Sequence, residues 1–353
     1  MILGIEIGGT KLQCVTGDES GNILERLRLQ VDAALGAGGI RQQIERAPPE
    51  FLEARHITAV GVGFGGPVDW RTGKIARSHQ IEGWSGFDLA AWIGGLTRTP
   101  VFVDNDANVG ALGEATLGAG KGFNPVFYVT LGSGVGGGLV VDGRIYHGAT
   151  PGESELGHVR LDRAGTILES RCSGWAVDAR IRELKTREPD CLLARLSASP
   201  PLTPPPPSPP ASARPAATVR EHGGPRRNDP LRSRDSAGRV KAGRRGTQVG
   251  GEAKHLAAAL VQGDPHAARI LQETAADLAF GLSHVVHLFH PAVIILGGGL
   301  SQVGEPLRVA VQAALRPLLM AVFQPGPLVG LAALGADAVP AGALRMAALA
   351  LAG

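Results

Sequence analysis

Aromatic residues are scarce, only 4% of the 353-residue chain, which argues against a core built on large rings. Cysteine is scarcer still. Cys14, Cys172 and Cys191 are odd in number and far apart, which excludes a disulfide framework and points to reduced thiols in the cytoplasm. No uninterrupted apolar run reaches about 18 residues, so no transmembrane helix and no membrane partner are expected. The opening MILGIEIGGTK has neither a basic n-region nor a long apolar stretch, which argues against a signal peptide.

Glycine, by contrast, is abundant at 51 residues, and favours tight turns and close backbone approaches. The length suffices for two domains with sizeable cores. The net charge of +3 misleads, because residues 200–250 hold ten Lys/Arg against three acids. Everything outside that stretch is therefore net acidic. The stretch begins within SASPPLTPPPPSPP (197–210) and contains no Phe, Tyr or Trp. Proline density, few apolar residues and high charge predict a disordered insert over 197–250. Its basic charge could attract nucleic acid, but without aromatics for base stacking that partner is set aside. Two readings stay open: a genuine solvated insertion, or a stretch read in a shifted frame.

Outside the insert, helices and strands alternate. Apolar strands are expected at Ile2–Ile7, Leu12–Thr16, Ile23–Val31 and Thr58–Phe64. A second series follows at Val126–Leu131, Leu139–Val141, Arg144–Tyr146 and Ala292–Leu296, with Asp142-Gly143 as a hairpin turn. Helices are expected at Ile40–Ala47, from Leu89 behind an Asp88 N-cap, at Ala253–Val261, and at Ala343–Leu351. A long helix should start at Asp264-Pro265 and run to Phe289. The second series resembles the first, a weak internal repeat that implies two α/β domains with a cleft between them.

Three glycine clusters each follow a strand: Gly8-Gly9, the turn expected over Gly132–Gly138, and Gly297-Gly298-Gly299. Taken singly each reads as a tight turn, but together they can present backbone N–H groups to phosphate. None fits the Walker or dinucleotide patterns. Between the first two lies VFVDNDANVGA (101–111), an apolar run that ends in two acids and two amides. One reading is a polar cap for a helix over Val109–Leu117; the other is a reactive centre.

The ordered pieces GIEIGGTK (4–11), GVGFGGPVD (61–69), DNDAN (104–108), TLGSGVGGGLVVDG (130–143), ELGH (155–158), SGWAVDARIR (173–182) and IILGGGLS (294–301) resemble the ROK family of sugar kinases and sugar-responsive repressors, within the actin-like ATPase superfamily. The resemblance implies two actin-like, ribonuclease-H-like α/β domains. These would be a small one at 1–114, a large one at 115–339, and a terminal helix near 340–353 packing back on the small one. It implies an ATP-dependent hexose kinase of the glucokinase type, with Asp106 as general base. Gly66, Asn105, Asp106, Glu155, His158 and Glu169 would bind the sugar. Glu6, Gly8, Gly9, Thr10 and Lys11 would form the first phosphate loop. Gly132, Ser133, Gly134, Gly136 and Gly137 would form the second, and Gly297, Gly298 and Gly299 the adenosine-side turn. Mg²⁺ is the implied companion of ATP, and a homodimer or homotetramer the implied assembly. Asp104 would brace the loop without chemistry of its own.

The chain departs from the family pattern in two places. Glu6 stands where the first phosphate motif usually has Asp. The zinc motif that usually follows ELGH is replaced by VRLDRAGTILESRC, where Cys172 alone cannot complete a tetrahedral site with His158. No structural zinc is therefore expected. A family repressor would carry a helix-turn-helix ahead of the first phosphate loop, which here begins at residue 4. The alternatives kept are a catalytically impaired or regulatory sugar-binding protein without a DNA-binding domain, and a kinase using polyphosphate.

Overall fold

The computed structural model describes residues 1–47, 51, 57–76, 81–150, 154–198 and 251–353. The insert expected over 197–250 lies outside the described residues except at its edge, where Ser197 and Ala198 end a helix, Leu192–Ala198.

Among the described residues, ten of twelve strands form two sheets of the same design. The first sheet uses β1 (Ile2–Ile7), β2 (Lys11–Gly17), β3 (Ile23–Gln30), β4 (Ala59–Phe64) and, beyond the small ladder β5 (Val68–Asp69)–β6 (Lys74–Ile75), β7 (Val101–Asn105). Its order is β3-β2-β1-β4-β7, with β2 antiparallel to both β1 and β3, and β4 parallel to both β1 and β7. The second sheet uses β8 (Val126–Leu131), β9 (Val135–Val141), β10 (Arg144–Ile145), β11 (Val293–Gly297) and β12 (Leu328–Leu331). Its order, β10-β9-β8-β11-β12, repeats the first in pairing and direction. The internal repeat is thus a repeat of topology. Every residue of β1 and β4 is buried, as expected for strands covered on both faces, whereas the edge strand β3 has no buried residue.

Parallel strands end at the same edge of a sheet, and ligands in such folds gather beyond those carboxyl ends. Ile7, Phe64 and Asn105 end neighbouring strands of the first sheet, and Gly297 ends β11 of the second. The turns that follow are the glycine clusters and the DNDAN segment.

Behind that edge runs the helix Asp106–Thr116, buried continuously from Ala107 to Glu114, as a helix with protein on every side must be. It contacts β8 and β9 of the second sheet and the terminal helix Ala338–Ala352, which also covers β1 and β4. The approach is backbone to backbone. A Cβ on Gly342 would lie 1.9 Å from the Val109 carbonyl oxygen, and one on Gly113 2.2 Å from that of Ala338. Glu114 ties the helix to the chain entering the terminal helix. Its buried carboxylate accepts N–H groups from Ala119 (2.9 Å), Ala333 (3.1 Å) and Leu334 (2.8 Å). Glu114→Ala should lower stability by about 3 kcal/mol in urea titration, because three buried donors lose a charged acceptor. Glu114→Gln, which retains one acceptor oxygen, should cost less.

Four expectations need correction. The glycine turn of the second hairpin covers only Gly132–Gly134; Gly136, Gly137 and Gly138 are strand residues in β9. Gly136 and Gly138 are glycine because the Asp106–Thr116 helix lies against them, whereas Gly137 faces the other side of the sheet, toward Phe127, Ser154 and Leu156. A Cβ on Gly138 would sit 2.7 Å from both the Ala107 oxygen and the Ala111 methyl. The first helix starts at Gly36 instead of Ile40, anchored where the Ala37 N–H meets the Glu82 oxygen. The last helix starts at Ala338 instead of Ala343, with Pro340 tolerated in its first turn. Strand β12 was not anticipated; its LVGL pairs with β11 in a register that only the assembled sheet provides.

Candidate active site

Strand β7 delivers its polar residues through a closed set of hydrogen bonds. Asp104 Oδ1 accepts the Asn105 N–H (2.7 Å) and the Asn108 side-chain amide (3.0 Å), and Oδ2 faces His147 Nε2 at 2.5 Å. Asn105 Oδ1 caps the helix by accepting the Ala107 and Asn108 N–H groups, while its amide donates to the Gly66 oxygen at 3.2 Å. The capping reading of the DNDAN segment is therefore correct for Asn105, although the helix it caps runs over Asp106–Thr116 instead of Val109–Leu117, and Asp104 is the brace.

Asp106, the first residue of the helix, faces a cavity of about 460 Å³ together with Glu6, Lys11, Thr130, Gly298 and Gly299. Burial, then the nearby charge of Glu6, raises its carboxyl to about 7, while the Ala107 N–H and Lys11 pull it down less strongly. A carboxylate poised near neutrality is matched to proton transfer at physiological pH. Glu6 is also raised, by burial foremost, against the opposing pull of its partners. Its Oε1 pairs with Lys11 Nζ at 2.9 Å and its Oε2 accepts from Gln13 Nε2 at 2.7 Å.

The glycine clusters surround this point. A Cβ on Gly65 would lie 3.4 Å from Asp106 Oδ2 and 3.6 Å from the Gly8 Cα. Gly8, Gly9 and Gly65 line a small recess with Trp84, while Thr10 is exposed and accepts the Val31 N–H through its backbone. Gly298 has φ +81°, and a Cβ there would meet the Leu131 backbone at 2.6 Å, so the turn requires glycine. Gly299 and Gln302 border both the Asp106 cavity and a second one of about 400 Å³, lined also by Gly132, Ser133, Trp175 and Lys254. Two of the three glycine clusters thus meet at one cavity pair, and the first lies beside Asp106. Gly297 packs against Tyr128.

The remaining predicted residues group around Val135. Glu169 accepts the Val135 N–H at 2.9 Å, and its carboxylate occupies the space next to Gly134. A Cβ on Gly157 would meet the Val135 oxygen at 2.3 Å and the Glu169 Cβ at 3.3 Å, so the ELGH turn and Glu169 are neighbours. Within that turn His158 Nδ1 lies 3.1 Å from Glu155 Oε2, with both side chains exposed. Gly137 reaches this group from within β9, whereas Gly136 faces the other side, its Cβ position 3.1 Å from the Ala107 methyl.

The ROK family model matches residues 2–191 and 236–351. The chain belongs to the ROK family. The unmatched stretch, 192–235, is shorter than the insert inferred from composition, so 236–250 lies within the family match. Among ROK relatives, the glucokinase of Thermotoga maritima is 27% identical over 335 residues, 92% of this chain and 90% of that protein. The glucokinase of Streptomyces coelicolor is 29% identical over 306 residues, 86% and 84% of the two chains. Among solved structures, a ROK family glucokinase from Streptomyces griseus in complex with glucose and AMPPNP superposes with a TM-score of 0.73 at 27% identity, covering 98% of each chain. The ROK hexokinase from Thermus thermophilus gives 0.70 at 25% identity over 99% of each.

A magnesium–nucleotide donor of the ROK type fits the residues present. The Gly298 turn is a backbone cradle that a side chain would fill, and it stands opposite the carboxylates of Glu6 and Asp106 in one cavity. Magnesium needs only one or two protein carboxylates alongside phosphate oxygens. No group of three or more His, Cys, Asp or Glu side chains able to hold a metal ion occurs among the described residues. None of their helices is long and apolar enough to cross a membrane. Among the site-bordering residues that escaped the sequence are Gln13, Gln302, Lys254 and His147. Gln13 and Gln302 lie just beyond recognised motifs. His147 carries no local signal, because its partners are distant in the chain.

Proposed function

We propose that this protein transfers the γ-phosphoryl group of ATP to a hydroxyl of a hexose, glucose before other hexoses, with Asp106 as general base. That it is a sugar kinase follows from the family and from the near-full-length likeness to two glucokinases. The acceptor, the donor and the base are our reading. The observation that carries it is a single one: a carboxyl held near neutrality opens on a cavity that the Gly298-Gly299 turn borders from the other sheet.

A sugar hydroxyl is a weak nucleophile until its proton has somewhere to go. In the proposed step the hydroxyl oxygen attacks the γ-phosphorus, the bond to the bridging oxygen breaks, ADP leaves and Asp106 takes the proton. Asn105, Gly66, Glu155, His158 and Glu169 orient the sugar. The Gly8–Lys11 loop and the Gly132–Gly134 turn hold phosphates, with Gly136 and Gly137 shaping the latter from their strand. The base of the nucleotide lies in the cavity beside Trp175. Magnesium, when bound, neutralises donor charge, and Glu6 is the side chain we assign to it. We keep the two sheets with their helices as the two lobes of the kinase, 1–114 and 115–339, and expect a cytoplasmic homodimer or homotetramer.

A coupled ADP-release assay across glucose, mannose, fructose and N-acetylated hexoses tests this, with polyphosphate as a competing donor. Glucose with ATP should give the highest kcat/KM. Folded protein with no turnover on any sugar would sink the proposal.

A further inference from the structure

His147 lies between β10 and the ELGH turn, yet its imidazole is held by two groups from the first hundred or so residues. Nε2 meets Asp104 Oδ2 at 2.5 Å, and the ring lies flat on the Trp70 indole, with centroids 4.1 Å apart and planes 15° from parallel. Both members of the pair are shielded, at 16% exposure for the His147 side chain and 4% for that of Asp104. The Asp104 carboxylate only accepts hydrogen bonds, so Nε2 carries the proton. Its other oxygen holds the Asn105 N–H and the Asn108 amide. One carboxylate thus fixes the backbone that delivers Asp106 and holds His147, eight residues ahead of Glu155.

We infer that His147 is a positioning residue for the acceptor: through Asp104 it sets the spacing between Asp106 and the Glu155–His158 turn. This rests on the hexose-kinase reading above. Proton abstraction during attack requires the hydroxyl, the base and the sugar contacts in one geometry, and displacement by about 1 Å can cost about 100-fold in rate. Trp70 supplies a flat wall that restricts the ring to one plane, and Asp104 supplies its single strong acceptor. Removing the imidazole leaves a buried carboxylate oxygen without its donor and breaks the link between Asp104 and position 147.

The test is kinetic and structural together. For His147→Ala, kcat/KM for glucose should fall about 100-fold, with KM for ATP changed less than twofold. His147→Gln, which can donate to Asp104 from a planar amide, should recover most of the loss. Added imidazole should partly rescue His147→Ala by entering the slot between Trp70 and Asp104. Glucose binding by calorimetry in the absence of nucleotide should weaken in parallel, and circular dichroism should report a folded protein. A drop in melting temperature with unchanged sugar constants in the folded fraction would overturn the inference, as would equal changes in the sugar and ATP constants. If wild-type protein binds glucose but does not turn it over, the kinase reading fails, and the inference is decided by whether His147→Ala weakens binding. If wild-type protein neither binds nor phosphorylates any hexose, both fall.

Discussion

Asp106→Asn is expected to remove turnover, by at least about 1,000-fold in kcat, while leaving glucose binding and the fold in place. Asparagine has the same shape and still fits the first helical turn, but it cannot accept the hydroxyl proton. The same change should make the protein more heat-stable. The folded-state carboxyl sits at about 7 against an ordinary 3.8, raised chiefly by burial and by Glu6. Between those values the folded protein keeps a proton that the unfolded chain has released, so this group's contribution falls as pH rises through that window. The penalty is fully present above about pH 7, and that is where Asn should help most. Melting curves at pH 5 and pH 8 should show a larger gain at pH 8. In the wild type, kcat/KM for sugar should rise with pH through about 7 and then level off, because the base works only when deprotonated. Retention of turnover within tenfold in the Asn variant would remove Asp106 from its role.

Gly342→Val should be among the most damaging single changes available. The new Cβ would lie 1.9 Å from the Val109 oxygen and 3.1 Å from the Gly113 nitrogen, both of them backbone atoms inside a buried helix crossing. Flexible side chains can give way to an added methyl, but a carbonyl locked in a helix cannot. The cost should therefore exceed the about 1–3 kcal/mol typical of overpacked cores. We expect loss of soluble protein, or a urea midpoint too low to fit. Gly95→Ala serves as the control: it lies in the helix Leu89–Thr97 with open space at the Cβ position. It should stabilise by a few tenths to about 1 kcal/mol. Similar midpoints for the two variants would contradict the close approach.

Elements held by local signals could be read directly from the chain. The long helix Pro265–Phe289 begins at its Asp264 cap, which accepts the His266 and Ala267 N–H groups, and ends at His290 in left-handed geometry. Runs such as ILGIEI and VFYVTL became strands because short, nearly continuous apolar runs suit a sheet covered on both faces. The misreadings share one cause. Gly136–Gly138 looked like a turn because glycine is common in turns, but Gly136 and Gly138 serve a helix that approaches from thirty residues earlier in the chain. The helix expected from Ile40 begins at Gly36, because contact with the Glu82 oxygen starts it there. At the site, residue types and their order pointed to Asp106, Asn105 and the glycine clusters. Whether Glu155 and His158 reach the sugar depends on the fold. The His147–Asp104 pair could not be foreseen, since neither residue has a local reason to seek the other.

The covering of the first sheet by Ala338–Ala352 bears on how the protein is made. Strands β1, β4 and β7 leave the ribosome early, but Gly4, Gly61 and Gly63 present a bare apolar surface until the final helix is synthesised. The N-terminal half must therefore wait, incompletely shielded, while the rest of the polypeptide is translated. Its nascent form is the stage at which chaperones or premature self-association have the longest opportunity to act.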